Sequence, residues 1–437
     1  MNELTLDTAN VDTGLVRKTR YIVGLLHSDH QVVLVNALEW FFTHNLRDIW
    51  SKAADAGIQY DNVDVTVMSL DRIGAPQGES GAKVVLVVYR STTDGEEYFS
   101  PPLVLKIGER RKLDAEFKSK TDFPTVDARF KLRFAIPIAL YPDNGTNESL
   151  AVLAAPFLSE EGTPKEEFRH KDLWRHLDCE DEFNPAKIAR RMGKIEGYIN
   201  QTTGLMNYIH MDCKGSPVSL NDKRSDSVLY KDAYKWYLWN SGTFQAATYP
   251  ALFGTESTVD MLGKKWQNPY VAIDKVLSMV HCPAMGFVHG DLHPKNIVID
   301  HAKMVNVIDF GWYYDNAPIV VDYILLDINM RAMTLPTRFL YEDVMKIAAY
   351  LHPDHPIASD VADPIQKRMG IILRSLWEPL LDRGAFSKTE WYNEYLIPFF
   401  IVAYRHLAFL RSAKNQIALL ATVLSACKLL YDTEIIQ

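Results

Sequence analysis

The sequence predicts an α+β protein in which a helical extension precedes a small antiparallel sheet and a larger helical region follows it. Three stretches of hydrophobic periodicity support this prediction. Apolar residues recur mostly at helical spacing over residues 16–56, alternate as in strands over residues 63–107, and return to helical spacing from residue 163 onward. The predicted segments are a helical extension (1–60), a sheet-containing segment (61–157) and a helical segment (158–437).

Composition and charge exclude several classes of protein. With 437 residues, 47% apolar and 23% charged, the chain can form two or three structural units with a large core. A net charge of −8 argues against nucleic acid as a general partner. The stretch MNELTLDTANVD lacks the apolar core of a secretory signal, no apolar run reaches membrane length, and the four cysteines form no C-x-x-C pair. We therefore expect a cytoplasmic protein without membrane or nucleic-acid partners.

The helical extension permits two interpretations. Its apolar positions, from Ile22 to Trp50, follow helical spacing with an interruption near His27–His30, which predicts two or three helices. These helices can dock a protein partner, or they can pack as a cap on the sheet-containing segment that follows. Both interpretations stay open at the level of sequence.

Three strands follow, VDVTVMSL, KVVLVVYR and PPLVLKIG, and the loop between the first two is rich in glycine, beginning at Gly74. Glycines allow the backbone to approach phosphate oxygens closely and to point amide hydrogens at them, so Gly78 and Gly81 are candidate nucleotide contacts. Ser80 lies between them, and its role stays open. A glycine-rich hairpin turn is the other interpretation, because such turns are common.

Lys106 ends the apolar strand LVLK, where an unpaired ammonium group would be costly to bury. The charged helix ERRKLDAEFKSKTDF follows and offers Glu116 or Asp114 as its partner, of which we favour Glu116. In the alternative interpretation Lys106 reaches solvent and the acidic residues lie on an exposed helix face. A further strand pair is predicted around Phe134–Leu140 and Leu150–Ala154.

The stretch FVHGDLHPKNIVIDHAKMVNVIDFG, residues 287–311, carries the strongest functional signal. Apolar strands flank a polar loop in which the spacing D-x-x-x-x-N places Asp291 and Asn296 on one turn. A short hairpin then delivers Asp309 at the end of a second apolar strand. Phosphoryl transfer needs these parts: a carboxylate that orients and deprotonates the attacking hydroxyl, and oxygen ligands that hold Mg²⁺ on the phosphates.

In order and spacing these residues resemble the protein-kinase-like superfamily, and more closely its aminoglycoside- and choline-phosphotransferase-like branch, whose loop has the form His-Gly-Asp-x-His-Pro-x-Asn. The resemblance extends over about Asp64–Met330. It implies a two-lobed kinase-like fold, with a small antiparallel-sheet N-lobe that binds the nucleotide and a large helical C-lobe. It also implies an enzyme that uses ATP and Mg²⁺ and transfers the γ-phosphoryl group to a hydroxyl acceptor.

The same resemblance assigns roles to individual residues. These are the catalytic residues Asp291, Asn296 and Asp309, the last two as Mg²⁺ ligands; the nucleotide-binding residues Gly78, Ser80, Gly81, Lys106, Glu116, Ala155 and Phe157; and the loop-shaping residues Asp322, His289 and His293. In this assignment Asp291 orients and deprotonates the acceptor, and Lys106, held by Glu116, neutralises phosphate charge. Residues 154–157 are expected to form the hinge whose backbone contacts adenine.

The acceptor itself stays open. After Gly311 an apolar helix is expected to begin at once, without the long activation segment of a regulated protein kinase, and this favours a small molecule over a protein. Residues 207–267 include Tyr230, Tyr234, Trp236, Tyr237 and Trp239, which either form a stacking wall for the acceptor or pack in the core. The alternative function is a kinase-like nucleotide-binding scaffold or signalling module with little or no transfer activity.

Overall fold

The computed structural model of the protein describes most of the chain. The described residues are 20–22, 28–51, 63–69, 82–93, 95–124, 131–142, 149–158, 172–177, 184–209, 225–239, 248–300, 302–357, 363–382 and 390–437. No helix within these stretches is long and apolar enough to cross a membrane.

The strands and α-helices are numbered here in chain order. The strands are β1 (Arg20–Ile22), β2 (Val63–Ser69), β3 (Lys83–Thr93), β4 (Glu96–Phe99), β5 (Leu103–Glu109), β6 (Ala139–Pro142), β7 (Leu150–Pro156), β8 (Val228–Leu229), β9 (Thr258–Met261), β10 (Lys264–Gln267), β11 (Val280–His281), β12 (Met285–Val288), β13 (Ile297–Ile299), β14 (Val305–Val307) and β15 (Tyr314–Pro318). The α-helices are α1 (Ser28–His44), α2 (Leu46–Ile49), α3 (Arg110–Asp122), α4 (Leu173–Leu177), α5 (Pro185–Ile209), α6 (Tyr230–Ala233), α7 (Lys235–Trp239), α8 (Thr248–Phe253), α9 (Pro269–Leu277), α10 (Val320–Ile328), α11 (Tyr341–Ala348), α12 (Pro364–Ile371), α13 (Glu378–Asp382), α14 (Ile397–His406) and α15 (Gln416–Asp432).

The first of two compact units contains the main sheet, and we call it the sheet unit. It comprises the described residues of Met1–Phe123, Leu132–Lys171 and Val298–Trp312. Its strands lie in the order β1-β2-β3-β5-β7-β6, with β4 paired to β3, and every pair except β1–β2 is antiparallel. With the helical second unit, this confirms the predicted α+β class and the kinase-like pattern of a small antiparallel sheet followed by a large helical part.

Helix α1 covers one face of this sheet. Strand alternation directs Val87 and Tyr89 of β3 into the same core as Leu38 and Phe41 of α1. The hydroxyl of Tyr89 donates a hydrogen bond of 3.0 Å to the carbonyl oxygen of Leu38, so the strand is tied to the helix as well as packed on it. The helical extension therefore caps the sheet, which is the second of the two interpretations.

Three local predictions were wrong. Residues 20–22 form β1, parallel to β2, in place of a helix, because Tyr21 and Ile22 favour strands and β2 offers an unpaired edge. The strand expected from Phe134 begins only at Ala139, since Pro137 has no N–H to donate to a ladder. The helix expected directly after Gly311 is preceded by β15, which finds backbone partners in β12.

The second compact unit is mostly helical, and we call it the helical unit. It comprises the described residues of Pro124–Lys131, Asp172–Ile297 and Tyr313–Gln437. Three π-helical turns, Asn329–Met333, Ile372–Trp377 and Tyr392–Leu396, each supply one residue to a buried cluster around Asp327 of α10. Asp327 accepts hydrogen bonds from Arg331 Nε (2.7 Å), Trp377 Nε1 (3.0 Å) and Tyr395 Oη (2.8 Å). This cluster fixes the helix that also carries Asp322.

Candidate functional site

The loop with the motif His-Gly-Asp-x-His-Pro-x-Asn begins where β12 ends, at Val288. A fully buried carboxylate holds its first turn: Asp322 of α10 accepts hydrogen bonds from the backbone N–H groups of His289 (2.8 Å) and Gly290 (2.9 Å). Gly290 has a φ of 77°, a conformation that suits a residue without a Cβ atom. Asp322 therefore anchors the loop, as the resemblance implied.

The pKa of Asp322 reflects this environment. Burial raises it to about 7, although the hydrogen bonds from the two backbone N–H groups act in the opposite direction, and the nearby negative charge of Asp291 raises it further. A group that accepts two hydrogen bonds at once is acceptor-only in its ionised form. The two hydrogen bonds from the loop to Asp322 are thus strongest when its carboxylate is ionised, although burial disfavours that state.

Asp291 and Asn296 lie together within this loop. The amide Nδ2 of Asn296 donates 2.9 Å to the backbone oxygen of Asp291 and 3.4 Å to its carboxylate. Because both bonds come from Nδ2, the amide oxygen of Asn296 takes no part in them. His293 Nε2 lies 3.6 Å from the Asp291 carboxylate, and His293 Nδ1 accepts a bond of 3.2 Å from the N–H of Lys295. The histidine shapes the turn that presents both residues.

Lys106 of β5 makes two ion pairs within the sheet unit. Its Nζ atom lies 2.6 Å from Oε1 of Glu116 on α3 and 2.8 Å from Oδ1 of Asp309. Burial alone would lower the pKa of Lys106, but the carboxylates of Asp309 and Glu116 outweigh it and hold the pKa above its usual value. Asp114, the competing candidate, instead faces Arg110 at 3.7 Å on the exposed side of α3. Lys106 is therefore a fixed positive charge with Glu116 as its buried support.

Asp309 follows β14 by two residues and adopts a strained backbone. Its φ of 65° lies in the left-handed region, which is uncommon for residues other than glycine and recurs at functional sites. The next residue, Phe310, packs against the rings of Phe123 and Phe134, with centroids 5.8 and 6.2 Å away. A Cβ atom on Gly311 would lie 3.3 Å from the Asp309 carboxylate, so glycine leaves room for that carboxylate to reach Lys106.

The predicted hinge residues lie on or next to β7. Ala155 is the ladder partner of Val104, and Phe157 packs on Leu86 together with Val84 and Val104. The backbone N–H of Phe157 donates 3.0 Å to the carbonyl oxygen of Pro102. That N–H is therefore already used within the sheet unit, in contrast to the expected backbone contact with adenine.

Sequence reasoning missed the apolar surface beside Lys106. Val84 is the ladder partner of Lys106 and Leu86 is that of Val104, so these side chains lie on one face of the sheet, opposite to α1. The alternation of side chains along β5 could have revealed this surface, because Val104 precedes Lys106 by two residues and therefore lies on the same face of the strand. The glycine-loop candidates Gly78, Ser80 and Gly81 lie outside the described residues.

The candidate residues thus form two groups. The helical unit brings together Asp291, Asn296, His289, His293 and Asp322. The sheet unit brings together Lys106, Glu116 and Asp309, with Ala155 and Phe157 on the neighbouring strand. The first group contains a half-exposed carboxylate that accepts a hydrogen bond from an amide nitrogen, and the second contains a cation between two anions.

Comparison with known proteins gives matches at the level of structure only. No protein-family model matches the sequence, and no curated protein matches it. A putative aminoglycoside phosphotransferase from Ralstonia eutropha is 14% identical, with a TM-score of 0.40 over 91% of this chain and 97% of that chain. A choline kinase from Cryptosporidium parvum is 12% identical, with a TM-score of 0.39 over 87% and 93%. An aminoglycoside-3'-phosphotransferase of type VIII is 15% identical, with a TM-score of 0.30 over 68% and 92%. Because these scores lie below 0.5, the functional assignment rests on the residues described above.

Proposed function

We propose that the protein is a phosphotransferase that uses ATP and Mg²⁺ to transfer the γ-phosphoryl group to a hydroxyl of a small molecule. The observation that carries this proposal is the double ion pair of Lys106 with Glu116 and Asp309. Burying the ammonium group of Lys106 and the carboxylate of Glu116 is costly, and the strained backbone of Asp309 adds to that cost. Charged groups that are costly to bury are expected where they bind a ligand. The phosphates of a nucleoside triphosphate carry the negative charge that Lys106 would bind.

The carboxylate of Asp291 is the proposed base. Its side chain is 38% exposed, so an acceptor hydroxyl can approach it, while the bond from Asn296 and the proximity of His293 fix its orientation. It would orient the hydroxyl and accept its proton as the oxygen attacks the γ-phosphorus. Lys106 would bind the phosphates, with Glu116 holding the ammonium group in place.

The Mg²⁺ ligands in this proposal are Asn296 and Asp309. Both offer oxygen, the atom that Mg²⁺ prefers, and the Asp309 side chain remains 42% exposed beside Lys106. Among the described residues no group of three or more His, Cys, Asp or Glu is arranged to hold a metal ion. Carboxylate and amide oxygens are of the kind that Mg²⁺ takes in kinases, where phosphate oxygens and water complete its coordination. When bound, Mg²⁺ would neutralise charge on the phosphates.

The base of the nucleotide would lie on the apolar side chains beside Lys106. Val84 and Val104 are partly buried and pack against the buried ring of Phe157, whereas the opposite sheet face is covered by α1. Apolar walls with few polar groups are typical of ligand sites. Because the Phe157 N–H is engaged, we assign the adenine contact to the ring of Phe157 and to the backbone near Ala155.

A small-molecule acceptor agrees with the short connection after Gly311. Strand β15 begins at Tyr314 and α10 begins at Val320, so secondary structure occupies the positions where a regulated protein kinase has a mobile activation segment. Activity is therefore expected without phosphorylation of this connection.

The test is ATP turnover by purified, unphosphorylated protein with Mg²⁺ and pooled hydroxyl compounds. Asp291→Asn should retain ATP binding and lose turnover by about two to four orders of magnitude, the usual scale for loss of a general base. Asp260→Asn, an exposed carboxylate on the β9–β10 hairpin of the same unit, is the matched control and should leave turnover unchanged. ATP binding without turnover in the parent protein would support the scaffold function instead.

A further inference from the structure

Two stacked aromatic rings lie near the catalytic loop and have no part in the roles proposed so far. Trp236 of α7 stacks on Tyr314 of β15, with ring centroids 5.2 Å apart and an interplanar angle of 19°. Tyr314 is the ladder partner of Val288, and Asp291 follows Val288 by three residues. Three residues of chain span at most about 11 Å. The β12–β15 ladder therefore holds the Trp236–Tyr314 stack close to the proposed base.

One ring of this stack is accessible and the other supports it. Tyr314 is 40% exposed, while Trp236 is 7% exposed and also contacts Tyr237 edge-on at 5.4 Å. Stacking on Trp236 covers one face of Tyr314 and fixes the ring, so its other face is a rigid, flat surface. A preorganised ring binds a ligand without losing rotamer entropy. This geometry is suited to an aromatic or heteroaromatic ring in the ligand.

The same geometry is poorly suited to a cation. Binding an ammonium group between aromatic side chains needs several ring faces that converge on it, whereas Trp236 and Tyr314 turn their faces toward each other. The charges nearby are of both signs, and the carboxylate of Asp291 is one of them. Exposed Lys231 and Lys235 lie between the aromatic residues of the segment 230–237, and the Arg405 guanidinium lies 4.1 Å from the centre of the Tyr237 ring. Asp232 and Asp315 are the exposed acids of the two segments.

We propose that the Trp236–Tyr314 stack is the acceptor-binding surface and that the acceptor is an uncharged hydroxyl compound with a flat aromatic or heteroaromatic ring, of which a nucleoside is one chemical example. This inference rests on the phosphotransferase function proposed above. It extends that function by naming the acceptor class and the residues that select it. In the transfer, the acceptor oxygen forms a bond to the γ-phosphorus. The bond between the γ-phosphorus and the oxygen that remains on ADP breaks, and the hydroxyl proton passes to Asp291.

The experiment compares acceptors and variants in one assay of ADP formation. Uridine and guanosine carry the ring, whereas choline, kanamycin and glycerol lack it. Tyr314→Ala should lower kcat/KM for the nucleosides by about 10- to 100-fold, the scale of one lost stacking contact, and leave KM for ATP unchanged. Tyr314→Phe keeps the ring and should restore most of the activity. Tyr341→Ala removes a similarly exposed tyrosine of the same unit and should behave like the parent protein.

Binding is measured separately, so that the two proposals can fail independently. Saturation-transfer NMR with uridine and guanosine is recorded while a non-hydrolysable ATP analogue occupies the nucleotide site. Ring signals that Tyr314→Ala removes, without any ADP formation, would support the surface and reject phosphoryl transfer. Turnover with choline or glycerol but none with the nucleosides, or equal activity of Tyr314→Ala and Tyr341→Ala, would overturn the acceptor inference and leave the transfer function standing.

Discussion

At the scale of single residues, the three carboxylates of the candidate site differ in their surroundings. Asp322 is fully buried and accepts two backbone N–H groups, Asp291 is half-exposed beside an amide, and Asp309 is paired to a buried lysine. The three carboxylates therefore differ in burial, in the charge that lies beside them and in the hydrogen bonds that they accept. Their proposed roles as anchor, base and metal ligand follow from these differences, and each role predicts a different consequence of removing the charge.

For Asp309 we expect a loss that depends on Mg²⁺. Asp309→Asn keeps the shape of the side chain but removes the charge that would bind the metal, so ATP affinity measured by calorimetry with Mg²⁺ should fall by about tenfold or more. Affinity without Mg²⁺ should not fall, because Lys106 no longer shares its charge with Asp309. Asp114→Asn, an exposed carboxylate of the same unit, is the control. Equal losses with and without Mg²⁺ would disprove the assignment of Asp309 as a metal ligand.

For Asp322 we expect a pH-dependent loss of stability. Its pKa in the folded protein, about 7, exceeds the ordinary value of 3.8. Between these values the folded state binds more protons than the unfolded state, so the contribution of Asp322 to the free energy of unfolding falls as pH rises through this window. Asp322→Asn does not titrate and also lacks an acceptor for one of the two N–H groups, which costs about 1–3 kcal/mol.

The melting temperature of Asp322→Asn should therefore lie further below that of the parent protein at about pH 5 than at about pH 7.5. Asp260→Asn provides the comparison, since its exposed side chain should give no such difference. A deficit that grows as the pH is raised would contradict the sign of the shift.

At the scale of elements, the sequence predicted what depends on neighbours along the chain. The period of two in β3 and β5 and the charged helix after Lys106 were sufficient to predict the sheet and the Lys106–Glu116 pair. The proximity of Asp291 and Asn296 was equally predictable from the sequence, because both residues lie on one turn. Local patterns of spacing and polarity account for these successes.

Features that depend on distant segments could not be predicted. Strand β1 exists because β2 offers it an edge, and the Phe157 N–H is used because Pro102 lies opposite it. The Trp236–Tyr314 stack likewise joins two segments that neither periodicity nor motif connects. In each case the partner, rather than the residue, determines the outcome, and tertiary contacts of this kind override local propensity.

The packing of α1 gives a prediction at the same scale. Phe41 is fully buried between the helix and the sheet, so Phe41→Ala should lower the free energy of unfolding by about 3–5 kcal/mol through lost burial and the cavity left behind. Val32→Ala, on the exposed side of the same helix, should change it by no more than about 0.5 kcal/mol. Urea unfolding followed by circular dichroism measures both. Similar small effects would mean that α1 is not an integral part of the sheet unit.

At the scale of the whole molecule, the order of the chain does not follow the division into units. Val298–Trp312 follows the loop of Asp291 and Asn296 in the helical unit, yet it belongs to the sheet unit, where Phe134 bridges Val307 and Asp309 reaches Lys106. Each unit therefore receives part of one short sequence motif. Lys106 and Asp309, which are proposed to bind the phosphates and Mg²⁺, lie in the sheet unit, and a ligand bound by them should stabilise the folded state.

The proposed nucleotide site predicts an effect of ATP on thermal stability. A ligand that binds only the folded state stabilises it by mass action, by about 2.7 kcal/mol at a hundredfold excess over its dissociation constant. ATP with Mg²⁺ at millimolar concentration should therefore raise the melting temperature of the parent protein. Lys106→Met should reduce this rise because the phosphates lose their cation, whereas Lys118→Met, an exposed lysine of α3, should retain it. The rise, rather than the absolute melting temperature, is the quantity to compare, since Lys106→Met also leaves Glu116 buried without its partner. The absence of any rise in the parent protein would exclude both the phosphotransferase and the nucleotide-binding scaffold.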